Sequence, residues 1–417
     1  MNNSKKTTLI KTIFILLFFI ASFTSEFFYR DPLFNNSVSI AKKFQDKLHF
    51  SISIFKYYTY LGVLEFFWIF LVFLFFPMTY CYSFFINIII SIHICNMAKL
   101  IQGQGRPFLL DEIDADKIRY SCETGYGNPS GHSLLSTSSF LGLSQLIIDK
   151  FDLGKMSSII LYIIASILIL LINLSRVVLG VHSLNQVIYG DTLGFTVFFI
   201  IMIVIKPHLR DPDSFFERFL QLKYHIINAI CFVVVLTYII LGHAFFNREN
   251  KNYFKNLQKK LIEKCKGKEN TMLTRDSIFK SLFIMAYFGM VLGLTLLAYT
   301  IKNYYNCKYK AANYYNQNIN KKWYINYSIK LCFLLISFIP IFTTFYKPND
   351  INKINLYITG AGVPMLIFGF LLFGPNPIFV ISLNNANKEL YVENIKSGRL
   401  TKDYNLEDDD NDDNVIY

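Results

Sequence analysis

Long apolar runs constrain the fold of this chain more than any other feature of its sequence. About ten such runs occur, each of roughly 17 to 25 residues, the length at which a helix crosses the hydrocarbon core of a bilayer. The predicted spans are 9–29, 58–77, 81–100, 132–149, 157–174, 186–205, 224–242, 278–301, 329–346 and 355–373. The sequence therefore predicts an all-α fold, a polytopic transmembrane helical bundle of about ten spans.

The composition fits a membrane protein better than a soluble one. Of 417 residues, 53% are hydrophobic and only 17% are charged, against about a quarter in soluble domains. The net charge of +12 comes largely from Lys-rich loops such as 250–268, which suit the membrane surface, so no nucleic acid is expected as a partner. The seven cysteines form no CxxC pair and no Cys/His metal pattern, so neither a zinc site nor a disulfide framework is indicated.

Three polar clusters interrupt the apolar pattern where predicted spans begin or end. Their sequences are KLIQGQGRPF (99–108), NPSGHS (128–133) and SRVVLGVHSLNQ (175–186). If the third to sixth spans alternate in direction, all three clusters lie on the same face of the membrane. Ionisable residues are costly near a bilayer, so this convergence favours a shared functional site.

The side chains in these clusters suit the binding and transfer of a phosphate group. Those suited to hold its oxygens, by positive charge or at a helix start, are Lys99, Arg106, Ser130, Gly131 and Arg176. Guanidinium groups bind phosphate oxygens in pairs, and the N-terminus of a helix favours an anion. Two histidines, His132 and His182, suit a nucleophile and a general acid.

Each cluster taken alone also has a purely structural explanation. Ser130 could cap a helix that a proline begins. Arg106 could be a snorkelling arginine in an interfacial loop, and Arg176 a cation on the carbonyls at a helix end. Three such clusters on one face are better explained by one site.

The three clusters resemble the signature of the type 2 phosphatidic acid phosphatase / vanadium haloperoxidase superfamily. The matching residues are Lys99-x6-Arg106-Pro107, Pro129-Ser130-Gly131-His132 and Ser175-Arg176-x5-His182. The resemblance covers about residues 58–206 and implies a six-helix core that hydrolyses phosphate esters through a phosphohistidine, with neither a metal nor a cofactor. It implies His182 as the nucleophile and His132 as the acid that protonates the leaving alcohol. The residues that it implies for phosphate binding are Lys99, Arg106, Ser130, Gly131 and Arg176.

The third cluster departs from the family pattern at Gln186, where members usually carry an aspartate four residues after the nucleophilic histidine. Positions i and i+4 share a helix face, so Gln186 can accept a hydrogen bond from the His182 ring without supplying a negative charge. Gln186 is therefore counted among the catalytic residues. Asp191 lies about half a revolution away and is interpreted as a polar contact in the helix interior. Gln186 and the lead-in CETGYGNPSGH are similar to the glucose-6-phosphatase branch.

These patterns divide the chain into four regions. They are an N-terminal membrane anchor and lumenal loop (1–57), the phosphatase core (58–206), additional transmembrane helices (207–384) and an acidic disordered tail (385–417). The N-terminus resembles a signal peptide but has no convincing cleavage site, so it is interpreted as a retained first span.

The expected activity is hydrolysis of a phosphomonoester by an integral membrane enzyme that acts on a lipid phosphate, such as phosphatidic acid or a sphingoid-base phosphate. A sugar-phosphate phosphatase similar to glucose-6-phosphatase is the alternative. A non-catalytic multi-pass transporter or lipid-binding protein is the alternative of another class, although transporter sites usually lie at mid-bilayer. Lys5, Lys6 and Lys11 argue for a cytosolic N-terminus, hence for a lumenal active site in the endoplasmic reticulum or another endomembrane, with Asn35 as a glycosylation acceptor.

Overall fold

The structure, a computed structural model, is helical in the part of the chain that it describes. That part comprises residues 3–47, 51–61, 65–110, 125–209, 211–249, 251–265, 273–305, 328, 331–332, 334–340, 361–375 and 377–378. Its α-helices are α1 (Asn3–Lys47), α2 (Ser51–Leu61), α3 (Glu65–Phe75), α4 (Met78–Gln102), α5 (Gly131–Phe151), α6 (Lys155–Val178), α7 (Leu184–Ile200), α8 (Pro212–Arg218), α9 (Leu222–Glu249), α10 (Lys251–Lys264), α11 (Leu273–Ser281), α12 (Met285–Thr300) and α13 (Val363–Phe373). No strand occurs in these ranges, so the all-α prediction is confirmed.

Six helical segments of the described residues are long and apolar enough to cross a membrane. They are Ile13–Phe44, Met78–Leu109, Lys155–Val178, Leu184–Ile205, Leu222–Leu241 and Ser277–Asn303, and α13 is a shorter apolar helix. The prediction of a polytopic transmembrane bundle is confirmed, but its count of ten spans is not.

Four of the ten predicted spans account for the difference in number. The span at 58–77 is divided between α2 and α3, each of 11 residues. About half of the span at 329–346 lies outside the described residues, as does the start of 355–373. The predicted tail, 385–417, lies wholly outside them. The span at 132–149 is present as α5, but its many hydroxyl side chains lower its hydropathy.

Several polar side chains of α5 are buried inside the bundle, and two of its residues bond to neighbouring helices. Asn87 Nδ2 on α4 donates to Ser138 O at 2.8 Å, and the hydroxyls of Ser91 and Ser138 lie 2.8 Å apart. Thr137 Oγ1 donates to Asp191 Oδ1 on α7 at 2.7 Å. Because buried polar groups are stable when they are hydrogen-bonded, α5 can occupy the interior of a membrane bundle despite its composition.

Two glycines bring α7 close to α5 and so set the position of the α7 N-terminus. A Cβ added at Gly190 would lie 2.6 Å from Ser130 O, and one added at Gly194 would lie 2.6 Å from Leu134 O. Small residues at such a crossing let two membrane helices approach at the backbone. The start of α5 carries the second cluster, and the third cluster ends in the first turn of α7. The close packing of α5 on α7 therefore brings these two clusters together.

The first helix corrects the predicted boundary of the N-terminal region. A span at 9–29 followed by a lumenal loop to residue 57 was expected, whereas α1 continues as one helix to Lys47. Ser37, Val38 and Ala41 are at most 4% exposed, so this half of α1 has a buried face that favours a helix over a loop. In the predicted glycosylation acceptor Asn35-Asn36-Ser37, Asn35 is exposed and Ser37 is buried, and the segment is helical, whereas this modification is typical of surface loops.

The basic segment after α9 forms helix α10 beside the first polar cluster. A Cβ added at Gly105 would lie 2.9 Å from Leu257 Cδ2, and Lys264 Nζ donates to Leu110 O. The Lys-rich segment therefore lies at the same end of the bundle as the first cluster. Cys265, which follows α10, is disulfide-bonded, although the cysteine spacing indicated no disulfide framework. Pairing depends on tertiary proximity, which the cysteine spacing does not reveal.

The C-terminal helices α12 and α13 pack through glycine and apolar side chains. A Cβ added at Gly289 would overlap Leu366 O, and one added at Gly369 would overlap Ala286 O. The buried residues of α13 are all apolar or glycine. This helix pair is the close-packed type that small residues permit in membranes.

Candidate active site

The three polar clusters converge at one end of the bundle, as predicted. The first cluster spans the end of α4. Gly103 adopts a left-handed conformation (φ 55°), which ends the helix. The second cluster begins α5, with Ser130 as its N-cap residue. The third includes the turn between α6 and α7, where Gly180 (φ 66°) reverses the chain so that His182 N donates to Arg176 O at 3.1 Å. Two glycine-dependent turns and one capped helix start therefore build the site.

The His182 ring has hydrogen-bonding partners at both of its nitrogens. Nδ1 lies 2.8 Å from Gly127 O and 3.1 Å from Gln186 Oε1, while Nε2 lies 2.9 Å from Arg106 Nη1. The carbonyl oxygens can only accept and the guanidinium can only donate, so these partners select the tautomer with hydrogen on Nδ1. Nε2 therefore carries its lone pair toward the Arg106 guanidinium.

Gln186 is held by both ends of its amide group, which fixes the direction of its oxygen. Its Nε2 donates to Gly105 O at 2.9 Å and to Gln104 Oε1 at 3.2 Å. Its Oε1 faces His182 and also accepts the Ser183 N–H at 3.3 Å, as the side chain of a helix capping box does. The predicted contact of Gln186 with the His182 ring is confirmed, and Gly127 O is a second acceptor that sequence reasoning missed.

The three cationic side chains predicted to hold phosphate are all buried, and that of Arg106 contacts His182. Arg106, 2% exposed, also donates from Nε to Gly125 O at 2.8 Å, which fixes its guanidinium. Arg176, 1% exposed, donates from Nη1 to Thr59 Oγ1 at 3.3 Å. Lys99 Nζ would lie 3.8 Å from a Cβ added at Gly131, so it adjoins the first residue of α5.

Ser130 has a structural bond in addition to its predicted role in phosphate binding. Its Oγ accepts from Ser133 N at 3.4 Å and from Ser133 Oγ at 2.9 Å, which caps α5. Its backbone N–H donates to Gln186 O at 2.8 Å. In both side-chain bonds Ser130 Oγ is the acceptor, so its hydroxyl hydrogen can still donate to an oxyanion. His132, half-buried, is the second residue of α5 and follows Gly131 directly.

Asp191 does not belong to this cluster. Its Oδ1 accepts from Thr137 Oγ1 at 2.7 Å and its Oδ2 from Asn173 Nδ2 at 2.6 Å, so it joins α5, α6 and α7 inside the helical bundle. The interpretation of Asp191 as a polar contact in the helix interior is confirmed.

Sequence reasoning missed several residues that surround the predicted ones. These are Glu26 and Ser37 on α1, Thr59 on α2, and Gln104, Gly127 and Asn128 within or beside the clusters. The sequence offered one signal, since Glu26 is a carboxylate inside an apolar run, where ionisable residues usually have a function. It offered no comparable signal for Ser37 or Thr59.

Comparisons with known proteins match the region that carries the site. Residues 76–210, about a third of the chain, match the model of the PAP2 superfamily, which is the superfamily that the three clusters resemble. Phosphatidylglycerophosphatase B of Bacillus subtilis (strain 168) is 30% identical over 79 residues, which are 19% of this chain; the match spans 39% of that relative's length.

One solved structure is also similar to part of the chain. It is the crystal structure of a transmembrane PAP2-type phosphatidylglycerolphosphate phosphatase from Bacillus subtilis, with 19% sequence identity and a TM-score of 0.35. The similarity covers 46% of this chain and 94% of that chain.

Proposed function

Because residues 76–210 of this chain match the model of the PAP2 superfamily, we propose that this integral membrane protein is a phosphatase that hydrolyses a phosphomonoester through a phosphohistidine at His182. The observation that carries the proposal is the ring of His182, with hydrogen on Nδ1 and the Nε2 lone pair toward Arg106. A buried imidazole with one nitrogen anchored and the other directed at a guanidinium is suited to attack a bound phosphate.

Substrate binding begins with a change of partner at Arg106. Its Nη1 donates to His182 Nε2 at 2.9 Å in this structure. A phosphate dianion is a stronger acceptor than a neutral imidazole, so the guanidinium transfers its hydrogen bond to a phosphoryl oxygen when substrate enters. Lys99, Arg176, the Ser130 hydroxyl and the Gly131 N–H bind the other oxygens. The Nε2 lone pair is then directed at phosphorus.

The first chemical step forms a bond from His182 Nε2 to phosphorus and breaks the bond from phosphorus to the alcohol oxygen. His132 donates a proton to that oxygen, which leaves as the alcohol. The phosphorylated ring keeps hydrogen on Nδ1 and gains positive charge. Gly127 O and Gln186 Oε1 stabilise that charge because they accept the Nδ1–H hydrogen bond.

The second step returns the enzyme to its starting state. His132, now neutral, takes a proton from water, and the water oxygen attacks phosphorus opposite to His182 Nε2. The nitrogen–phosphorus bond breaks and inorganic phosphate is released. One water is consumed for each alcohol and phosphate formed, and no metal or cofactor enters the proposed scheme.

A lipid phosphate is the proposed substrate class. The curated relative is named for a phosphatidylglycerophosphatase, and the site of this chain lies at the end of a membrane bundle, where a lipid headgroup resides. We propose phosphatidic acid, a sphingoid-base phosphate or a similar phosphomonoester lipid. The lysines at the N-terminus support a lumenal site in the endoplasmic reticulum or another endomembrane.

A sugar phosphate is a second candidate substrate. Gln186 in place of the usual aspartate, and its bond to the His182 ring, favour this similarity to glucose-6-phosphatase. The two candidates differ in the alcohol that leaves, so rates on both substrate classes distinguish them.

The test is phosphate release by purified protein in detergent micelles, with a chelator present, on a panel of lipid phosphates and glucose 6-phosphate. We expect release from at least one lipid phosphate and a loss of at least about a thousandfold in His182→Ala, because the nucleophile is removed. His225→Ala is the matched control. His225 Nε2 donates to Phe219 O at 2.7 Å, away from the clusters, so this variant should keep wild-type activity.

A phosphoprotein trapped by acid-free quenching should appear in the wild type and in His225→Ala but not in His182→Ala. Equal activity of His182→Ala and the wild type would contradict the phosphohistidine proposal. Release only from glucose 6-phosphate would replace the lipid substrate with the sugar.

A further inference from the structure

A carboxylate on α1 lies at the site although α1 is outside the matched family region. Glu26 is 0% exposed and sits in the membrane-crossing part of α1, Ile13–Phe44. The family match begins at residue 76. An ionisable residue at such a depth is costly, so its bonds deserve a functional explanation.

The two carboxylate oxygens of Glu26 have different partners. Oε2 accepts from Arg30 Nη2 at 2.7 Å and Nε at 3.1 Å, an ion pair within α1. Oε1 accepts from Asn128 Nδ2 at 2.5 Å and from Asn185 Nδ2 at 3.4 Å, and it also lies 3.1 Å from Arg30 Nε. Arg30 balances the charge, while Oε1 connects α1 to the second and third clusters.

The two asparagines adjoin the two acceptors of the His182 ring. Asn128 follows Gly127, whose carbonyl accepts from His182 Nδ1, and Asn185 precedes Gln186, whose Oε1 accepts from the same nitrogen. Glu26 Oε1 therefore binds Asn128 and Asn185, each of which is next in the chain to a residue that accepts a hydrogen bond from His182 Nδ1.

Gln104 reinforces this connection from the first cluster. Its Oε1 accepts from Asn185 Nδ2 at 3.0 Å and from Gln186 Nε2 at 3.2 Å. Asn185 thus shares its amide hydrogens between Glu26 and Gln104. The network links all three clusters to α1 through polar bonds in a low-dielectric interior, where such bonds are strong.

We propose that Glu26 is a positioning residue of the active site, which holds Gly127 O and Gln186 Oε1 in place through Asn128 and Asn185. The proposal rests on the proposed function of His182. A carboxylate suits this position because it offers only acceptors, enough for two asparagine amides and one guanidinium at the same time. A glutamine would present an N–H group to one of these donors.

The deciding variant is Glu26→Gln, because it keeps the shape of the side chain. We expect kcat to fall about tenfold while KM stays within about twofold of wild type, because phosphate is held by Lys99 and the arginines and not through Glu26. Asp31→Asn is the matched control: it removes the same charge from the exposed side of the same helix and should leave both constants unchanged.

A second readout does not depend on catalysis. In ¹⁵N-histidine spectra, the His182 signals are those that vanish in His182→Ala, and their shifts report which nitrogen carries hydrogen. The wild type and Asp31→Asn should show the Nδ1–H tautomer, and Glu26→Gln should show a mixture. If wild-type protein releases no phosphate but Glu26→Gln still changes this signal, the proposed function fails and the positioning role stands.

Two measurements separate an effect on catalysis from an effect on folding. They are the Tm of each variant in detergent and the kcat expressed per folded protein. A Glu26→Gln variant with the kcat and the His182 spectrum of Asp31→Asn would overturn the proposal. So would a rise in KM at unchanged kcat, since it would assign Glu26 to substrate binding.

Discussion

Two helix pairs of this protein approach each other at the backbone, yet only one of them has polar side chains at its contact. In α5 and α7, Gly190 and Gly194 allow the approach, and Thr137 donates to Asp191 across the contact. In α12 and α13, Gly289 and Gly369 allow the approach, and the surrounding buried side chains are apolar. Close packing in a membrane therefore requires small residues, whereas polar bonds occur where a site must be oriented.

The comparison predicts that changes near His182 reduce activity and that changes in α12 reduce stability. Gln186→Ala should have the largest effect. Turnover should fall by about 10-fold to 1000-fold, or about 1.4 to 4 kcal/mol of barrier. We expect a loss near the tenfold end of this range, because Gly127 O still accepts the hydrogen bond from His182 Nδ1, at 2.8 Å. Steady-state turnover, expressed per folded protein, measures the effect.

Gln186→Asp sharpens this first prediction. A carboxylate would stabilise the positive ring, but it would also face Gly105 O, which now accepts from Gln186 Nε2. We therefore expect a rate between those of the alanine variant and the wild type. Wild-type turnover in Gln186→Ala would show that Gly127 O alone orients the ring.

Gly289→Ala should affect the other helix pair. Its Cβ would overlap Leu366 O, so α12 and α13 must separate, at a cost of about 1 to 3 kcal/mol in the free energy of unfolding. The activity per folded protein should stay within about twofold of wild type, because α12 contributes no side chain to the His182 cluster. Thermal unfolding in detergent measures the change.

A glycine with space around it is the control for this variant. Gly154, at the start of α6, has no atom within 4 Å of an added Cβ. Gly154→Ala should therefore keep the Tm of the wild type. Equal Tm values for both alanine variants would contradict the close contact of α12 with α13.

Asp191→Asn should have a smaller effect than Gln186→Ala or Gly289→Ala. Asn173 Nδ2 now donates to the carboxylate at 2.6 Å and would face either a weaker acceptor or another N–H group. We expect a loss of about 1 to 2 kcal/mol in the free energy of unfolding, with kcat changed by less than about threefold. Asp152→Asn, at an exposed position after α5, is the control and should be neutral. A loss of kcat as large as that of Gln186→Ala would make Asp191 part of the site.

The sequence by itself determined the class of fold and predicted which polar clusters lie together. Apolar runs of spanning length require helices, because a backbone in lipid must bond to itself. The order and spacing of Lys99, Arg106, His132 and His182 gave the resemblance to the superfamily whose model residues 76–210 match. The contact of Gln186 with His182 followed from their separation by four residues on a helix.

Only the tertiary structure decided which groups surround that histidine. Gly127 O, Arg106 and Glu26 reach the His182 neighbourhood from three different parts of the chain, and no local periodicity relates them. The extension of α1 to Lys47 also depends on burial against the rest of the bundle, which a hydropathy pattern does not contain. Local patterns report what a segment does by itself; the partners of a buried polar group depend on which segments pack together.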